Sequence, residues 1–233
     1  MALGFPNFDG SFALTLLLPF TGEISHATIT TQADYVHFFE TYFPDVLPLV
    51  APNLACSLGN PVGNLVMIRC DPWVYQDKVA LIGDACHAIY PFYAQGVNAG
   101  FEDCQVLSKL IERERGQWDA IFQAYQVQRK PNTDAIAELT THHFTVLSKL
   151  VGDPTFNLRE KIEKKLESLF PMYPSLYHNI AFTNMPYAEA QRYEQQHRQM
   201  VDQLMAVEGI AHRLDESTIE QFLRHVIESQ RQN

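Results

Sequence analysis

Leu81-Ile-Gly-Asp-Ala-Cys-His-Ala-Ile-Tyr-Pro-Phe-Tyr-Ala-Gln-Gly-Val-Asn-Ala-Gly-Phe-Glu-Asp103 is the stretch on which the reading of this chain turns. It runs from an apolar segment into Gly83-Asp84, through a turn-rich loop, and into a helix opening on Gly96-Val-Asn-Ala-Gly100. At the carboxyl end of a strand in an α/β sheet, side chains face the ligand crevice. Asp84 is therefore placed to accept hydrogen bonds from a ribose or ribityl hydroxyl. Glycine lets a ligand approach the backbone, and the first N–H groups of a helix carry partial positive charge. Those amides suit a pyrophosphate or the electron-rich edge of a flavin ring. The usual companion of such a segment, a Gly-x-Gly-x-x-Gly loop, does not occur in these residues.

Each feature alone has a simpler explanation. A Gly-Asp after a strand is often a turn closed by an aspartate hydrogen bond. His87 by itself reads as a hydrogen-bonded structural histidine, and Asn98-Ala-Gly is a common helix start. The ordered set from Gly83 to Asp103 is far more specific than any of its parts.

Working outward, Lys78 to Ile82 reads as a fully apolar, buried strand feeding Gly83-Asp84, and Asn64 to Cys70 as a short strand after the turn Gly59-Asn-Pro-Val-Gly63. Pro6-Asn-Phe-Asp-Gly10 is a turn joining Met1–Phe5 to the strand Ser11–Pro19 in a hairpin. A chain that begins in mid-hairpin reads as one whose natural start lies upstream. Thr31 to Phe43 is a helix with Thr30 or Thr31 as N-cap, an apolar face of Tyr35, Phe38, Phe39 and Tyr42, and Pro44 as its stop. From Val97 the chain turns helical. One helix runs to about Arg115 with Gly116 as stop, and a second from Trp118 to about Val151, kinked or split at Pro131. Further helices are expected over Pro154–Phe170, from Pro186 past Met205, and over Ser217–Arg231, with Gln191–Asn233 polar enough for a loosely attached tail. The fold class is α+β or α/β, strand-rich in front and helical behind.

The 233 residues, 46% hydrophobic and 19% charged, suffice for one large domain or for a domain with a helical appendage. Seventeen basic against 27 acidic residues give a net charge of −10, which argues against nonspecific nucleic-acid binding and against attraction to anionic lipid. No apolar run reaches the roughly 18 residues of a membrane span, and Phe12–Phe20 lacks the basic flank of a signal peptide. Cys56, Cys70, Cys86 and Cys104 show no C-x-x-C spacing and read as free thiols of a reducing cytoplasm. A zinc site from Cys86, His87 and Cys104 matches no common ligand spacing, so no metal is expected.

The central segment resembles the second flavin motif of the FAD-dependent aromatic-ring hydroxylases. Within that class, Pro91-Phe-Tyr-Ala-Gln-Gly-Val-Asn-Ala-Gly-Phe-Glu-Asp103 is most similar to the kynurenine 3-monooxygenase family. The likeness continues in Pro6-Asn-Phe-Asp-x-Ser-Phe-x-x-Thr15, in Phe38-Phe39 with Phe43-Pro44-Asp45, in Arg129-x-Pro131 and in Phe182-x-x-x-Pro186-Tyr187-Ala188-x-Ala190, covering roughly residues 1 to 190. The resemblance implies a partial aromatic-hydroxylase fold. Residues 1–75 would be part of a substrate-binding sheet domain, 76–115 the FAD segment, 116–190 a helical region and 191–233 a helical tail.

It also implies roles. Gly83, Asp84, Gly96, Val97 and Asn98 would hold FAD. Pro91, Phe92, Tyr93 and Gln95 would line the substrate side, with Thr15 and Leu17 from the sheet and His143 and Tyr177 from the helical part. In such enzymes NADPH reduces the flavin and a flavin hydroperoxide hydroxylates the aromatic ring, while the protein positions the substrate and excludes water. No nucleophile or acid–base triad is required. Two departures stand out. The family's N-terminal Gly-x-Gly-x-x-Gly unit, which holds the adenosine half of FAD, is absent here, so a missing N-terminal half is an expected partner. His143-Phe-Thr-Val-Leu147 stands where the family has Asn-Tyr-x-Glu-Met, so asparagine has become His143 and glutamate Val146. The expectations are therefore the C-terminal part of a kynurenine-hydroxylating flavoprotein, the same fold acting on another aromatic substrate, or a non-catalytic remnant unable to retain FAD alone.

Overall fold

The computed structural model describes residues 1–150, 153–171, 174–214, and Glu220, Arg224, His225 and Glu228. The chain divides into two compact units, residues 1–65 and 66–233.

The first unit opens on the expected hairpin. β1 (Ala2–Pro6) and β2 (Phe12–Leu16) are antiparallel, with Ala2 opposite Leu16 and Pro6 opposite Phe12. Asp9 closes the turn by accepting from the Ser11 amide at 2.9 Å and the Ser11 hydroxyl at 2.7 Å. α1 (Gln32–Tyr42) starts at Thr31 in a capping box, the Asp34 amide donating to Thr31 Oγ1 and the Thr31 amide to Asp34 Oδ2. Phe38 and Phe39 are buried with Ile29 and Leu54, and Tyr35 packs beside them. Tyr42, expected on the same face, is half exposed. Two short helices follow that the sequence reading passed over, α2 (Leu47–Val50) and α3 (Leu54–Ser57), joined by a 3-10 turn over Ala51–Asn53.

In the second unit the expected strands shrink. β3 (Val74–Tyr75) pairs antiparallel with β4 (Val79–Ala80) and these four residues are the whole ladder. The fully buried strand expected over Lys78–Ile82 is not formed: Val79 is 49% and Ile82 38% exposed. No strand forms over Asn64–Cys70 either. Ile68 and Cys70 donate their amides to the carbonyls of Ala88 and Cys86, so the segment pairs with the loop around the short helix α4 (Asp84–His87) instead of a sheet. The described residues are thus mostly helical with two small two-stranded sheets.

α5 (Gly96–Glu114) ends at Arg115 and Gly116, both in left-handed conformation (φ 45° and 89°). α6 (Trp118–Thr145) runs unbroken through Pro131 and passes into a π-helical turn at Val146–Leu150, so the proline neither ends nor splits it. Pro131 and Val127, whose carbonyl loses its partner, both lie on the exposed face where water can replace the bond. α7 (Pro154–Leu169) is capped by Asp153, and α8 (Leu176–Phe182), which the sequence reading missed, by Ser175. α9 (Tyr187–Met205) precedes the short α10 (Ile210–Arg213). Its C-terminal half is no loose tail: Met200, Val201 and Leu204 are buried with Ile162 and Leu166 of α7. The helix expected over Ser217–Arg231 lies almost entirely outside the described residues. A second core joins Tyr93, Ala99, Ile136, Leu139, Ile180 and Tyr187, and a third joins Trp73, Cys86, Leu110, Ile121 and Tyr125.

Candidate flavin and substrate site

The Gly83–Asp84 turn sits at the base of the site. Gly83 adopts φ 62°, ψ −141°, a conformation open essentially to glycine alone. Asp84, the first residue of α4, is exposed and makes no hydrogen bond or ion pair among the described residues. A Cβ built on Gly100 would lie 3.9 Å from Gly83 Cα, so the turn and the first turns of α5 abut.

What fixes the turn is Asp103, one helical face further along α5 and fully buried. Its Oδ2 accepts from the Gly83 amide at 3.0 Å and pairs with His87 Nε2 at 2.5 Å. Its Oδ1 accepts from Arg129 Nε at 2.7 Å. Arg129, itself buried, also donates to the Ala99 carbonyl at 3.2 Å and to Glu102 Oε2 at 2.6 Å. Burial opposes ionisation of Asp103, but the hydrogen bonds from His87 and Arg129 more than offset it and hold the carboxyl below its ordinary value. His87 is thus the hydrogen-bonded structural histidine that its sequence context suggests. Asp103 and Arg129 were visible only as parts of a motif. Their pairing, 26 residues apart, carries no local periodicity that would reveal it.

Cys86, His87 and Asp103 place ligand atoms within 4.8 Å of one another. The chemistry does not favour a cation there. The Arg129 guanidinium already occupies Asp103, and burial, with the Asp103 charge, pushes the Cys86 thiol up to about 12, away from the thiolate a metal needs. Cys104, the other cysteine considered with Cys86, is exposed.

The N-terminus of α5 has no side-chain cap. Its N-cap residue Gln95 is buried, and Gln95 Oε1 is engaged by Asn98 Nδ2 and the Tyr187 hydroxyl, each at 2.9 Å. Val97 and Asn98 are exposed. A Cβ on Gly96 would meet only Ile89 Cγ1 at 3.9 Å, so no close contact with the chain's own packing requires glycine there. Beside this turn lies a cavity of about 500 Å³ whose lining includes Gln95, Asn98, Phe101, Met185 and Tyr187.

The predicted substrate residues of this unit divide between two places. Tyr93, on a 3-10 turn over Pro91–Tyr93, stacks on His143 at 4.4 Å between ring centroids and on Tyr177 at 6.0 Å. Phe92 stacks on Phe144 at 4.9 Å. Tyr93, His143, Val146 and Tyr177 share a cavity of about 540 Å³ enclosed with α7 and α9. Burial, helped by His142, lowers the His143 pKa and keeps the imidazole neutral, while burial raises that of Tyr93. Gln95 faces the other cavity, and Pro91 is exposed. Thr15 and Leu17 belong to the first unit, Thr15 opposite Leu3 in the hairpin and Leu17 donating its amide to the Met1 carbonyl at 2.9 Å.

The class follows from comparison of this segment with protein families. Residues 69–140, which hold the Gly83 turn, α5 and Arg129, match the family model described as FAD binding domain. The particular likeness is to kynurenine 3-monooxygenases. The chain is 40% identical over 228 residues to the kynurenine 3-monooxygenase of Christiangramia forsetii, covering 97% of the chain and 51% of that protein. It is 48% identical over 192 residues to that of Flavobacterium johnsoniae (82% and 43%), and 38% identical over 218 residues to that of Dictyostelium discoideum (88% and 47%). The chain is therefore kynurenine-3-monooxygenase-like over nearly all its length, and it spans about half the length of the curated relatives it matches. No helix among the described residues is long and apolar enough to cross a membrane.

Proposed function

We propose that the chain supplies the flavin-facing and substrate-facing half of an FAD-dependent aromatic monooxygenase acting on kynurenine or a related aromatic compound, with NADPH as reductant. The carrying observation is the juxtaposition of the Gly83–Asp84 turn with the uncapped start of α5, inside the segment that matches an FAD-binding family. The residues fit such a group. Asp84 has an exposed carboxylate free to accept from the ribityl chain, the first amides of α5 at Gly96, Val97 and Asn98 have no side-chain cap, and neither Gly96 nor Gly100 is required by a close contact with the chain's own atoms. FAD, when bound, supplies the redox chemistry. The residues' part is to hold it and to place a ring. The amides of Gly96, Val97 and Asn98 favour negative charge on the flavin edge, and Asp103 keeps the Gly83 turn in register with them. Tyr93, His143 and Tyr177 offer stacked faces for an aromatic substrate, with Pro91, Phe92 and Gln95 nearby in sequence.

A substrate other than kynurenine is favoured by His143, which stacks on Tyr93 at the position where, by resemblance, the family carries an asparagine. The remaining FAD contacts, including the adenosine half, would come from a further segment or polypeptide, since the relatives are about twice as long. Free thiols at all four cysteines suit a cytoplasmic setting.

Titration of the purified chain with FAD, read by quenching of flavin fluorescence, tests the flavin reading. Binding is expected, and Asp84→Ala is expected to weaken it about tenfold, the worth of one charge-assisted hydrogen bond, with the thermal melt unmoved. Equal affinity in the variant would remove Asp84 from the site. No binding by either form would favour a chain that holds FAD only together with its other half.

A further inference from the structure

The 540 Å³ cavity has an aromatic wall, Tyr93, His143 and Tyr177, and a charged wall built by α7 and α9. The charged side chains of that second wall almost all have a partner among the described residues. Arg159 pairs with Asp202, Lys164 with Glu160 at 3.8 Å, Glu167 with His178 at 2.9 Å, and Arg198 with Glu194 at 3.1 Å. Glu163 is the exception. It is half-buried, lines the cavity, and makes no hydrogen bond or ion pair among the described residues.

We propose that Glu163 anchors a cation subsite in this cavity, taking the ammonium of an arylalkylamine whose ring lies on the Tyr93–His143–Tyr177 wall. Aromatic faces present negative potential, so the two walls select the same sign of charge. An anionic ligand finds no equivalent, because Arg159 and Arg198 already hold carboxylates. The protonation of Glu163 fits an acid waiting for a counter-charge: burial, with Glu194 and Glu160 nearby, pushes its carboxyl up to about 7 against the smaller opposing pull of Arg159 and Arg198. His142 and His143 on α6 face the cavity as well, and their pKa values are lowered by burial, so they add no positive charge near neutrality. This names the specificity element of the substrate side and rests on the reading that the Tyr93 wall faces the substrate. The binding itself requires no flavin.

Calorimetric titration of the chain with phenethylamine, phenethyl alcohol and hydrocinnamate separates the cases. Phenethylamine is expected to bind most tightly at about pH 8, where Glu163 is ionised, and several-fold more weakly at about pH 6, one unit on either side of its value. The alcohol should show no such slope. Glu163→Gln should reduce phenethylamine affinity at about pH 8 by about tenfold or more and leave the alcohol unchanged, which also certifies that the variant folds and the aromatic wall persists. Equal affinity for amine and alcohol, preference for hydrocinnamate, absence of binding, or indifference to Glu163→Gln each overturns the proposal. A parallel FAD titration reports on the flavin reading separately, so either can fail while the other stands.

Discussion

Asp103 and Glu163 are carboxylates in two regions of the same unit, one buried and one half-buried, and the fold treats them in opposite ways. Asp103 lies in the core beneath the flavin motif, receives the Gly83 amide, His87 and Arg129, and is held ionised. Glu163 lies at the wall of the helical cavity, receives no donor among the described residues, and is pushed toward its neutral form. A buried charge that is fully partnered is costly to disturb and belongs to the scaffold, whereas a half-buried carboxyl without a partner remains able to take one. The motif residues divide in the same way. Asp103 and Arg129 hold the turn from inside, and Asp84, Val97 and Asn98 are left at the surface.

The largest effect should come from breaking the partnered carboxylate. Asp103→Ala strands the buried Arg129 guanidinium with only the half-exposed Glu102 as anion, a loss of about 3–5 kcal/mol in urea unfolding. Because the Asp103 carboxyl is depressed in the fold, its contribution is present above the ordinary aspartate value of 3.8 and is lost as pH falls below it. The variant should therefore lack that part of the acid-side decline. A loss under about 1 kcal/mol would mean that the network is not structural, and the contrast with Glu163 would collapse.

Next in size is Gly83→Ala. A Cβ there meets nothing within 4 Å, so the cost is purely conformational, set by φ 62° and ψ −141°. About 1–3 kcal/mol is expected. The substitution should also weaken FAD binding, because the turn that presents Asp84 would have to move. Gly96→Ala makes the control: its Cβ would sit at ordinary contact distance from Ile89, so a large stability loss there would show that glycine serves packing and not ligand approach.

Much of this was legible in local sequence. Turn chemistry at Asp9 and Gly10, the capping box at Thr31 and Asp34, and the helix stop at Gly116 are short-range effects that a few neighbouring residues decide. Of the residues grouped by resemblance, Tyr93, His143 and Tyr177 line one cavity, with His143 and Tyr177 stacked on Tyr93, while Phe92 stacks on Phe144. The failures are long-range. Val79-Ala-Leu-Ile82 has the composition of a buried strand, but burial needs neighbours, and its backbone pairs only on one side, with Trp73, Val74 and Tyr75. Pro131 was expected to kink or split its helix; α6 is not split there, and on the solvent face water can replace the missing bond. Neither Asp103–Arg129 nor the isolation of Glu163 can be read from a linear pattern, since each depends on which helices meet.

The smallest expected effect tests the unpartnered carboxylate through stability alone. The Glu163 carboxyl rises from an ordinary value of 4.5 to about 7 in the fold, chiefly by burial. Below 4.5 both folded and unfolded chains are protonated there and stability is unaffected. Between 4.5 and about 7 the unfolded chain ionises first, stability falls, and above about 7 the loss is complete. Glu194, also raised by burial, acts in the same direction, whereas His142, His143 and His197, lowered by burial, act in the opposite one, which is why the difference between two proteins is needed. Glu163→Gln should match the parent at about pH 4 and melt higher at about pH 8. Discounted for the partial exposure of the group, the gain is about 2–4 °C, the worth of about 1 kcal/mol in a chain of this size. A variant that melts lower at about pH 8 would show that Glu163 is already partnered in the folded chain, and that the two carboxylates differ in depth and not in kind.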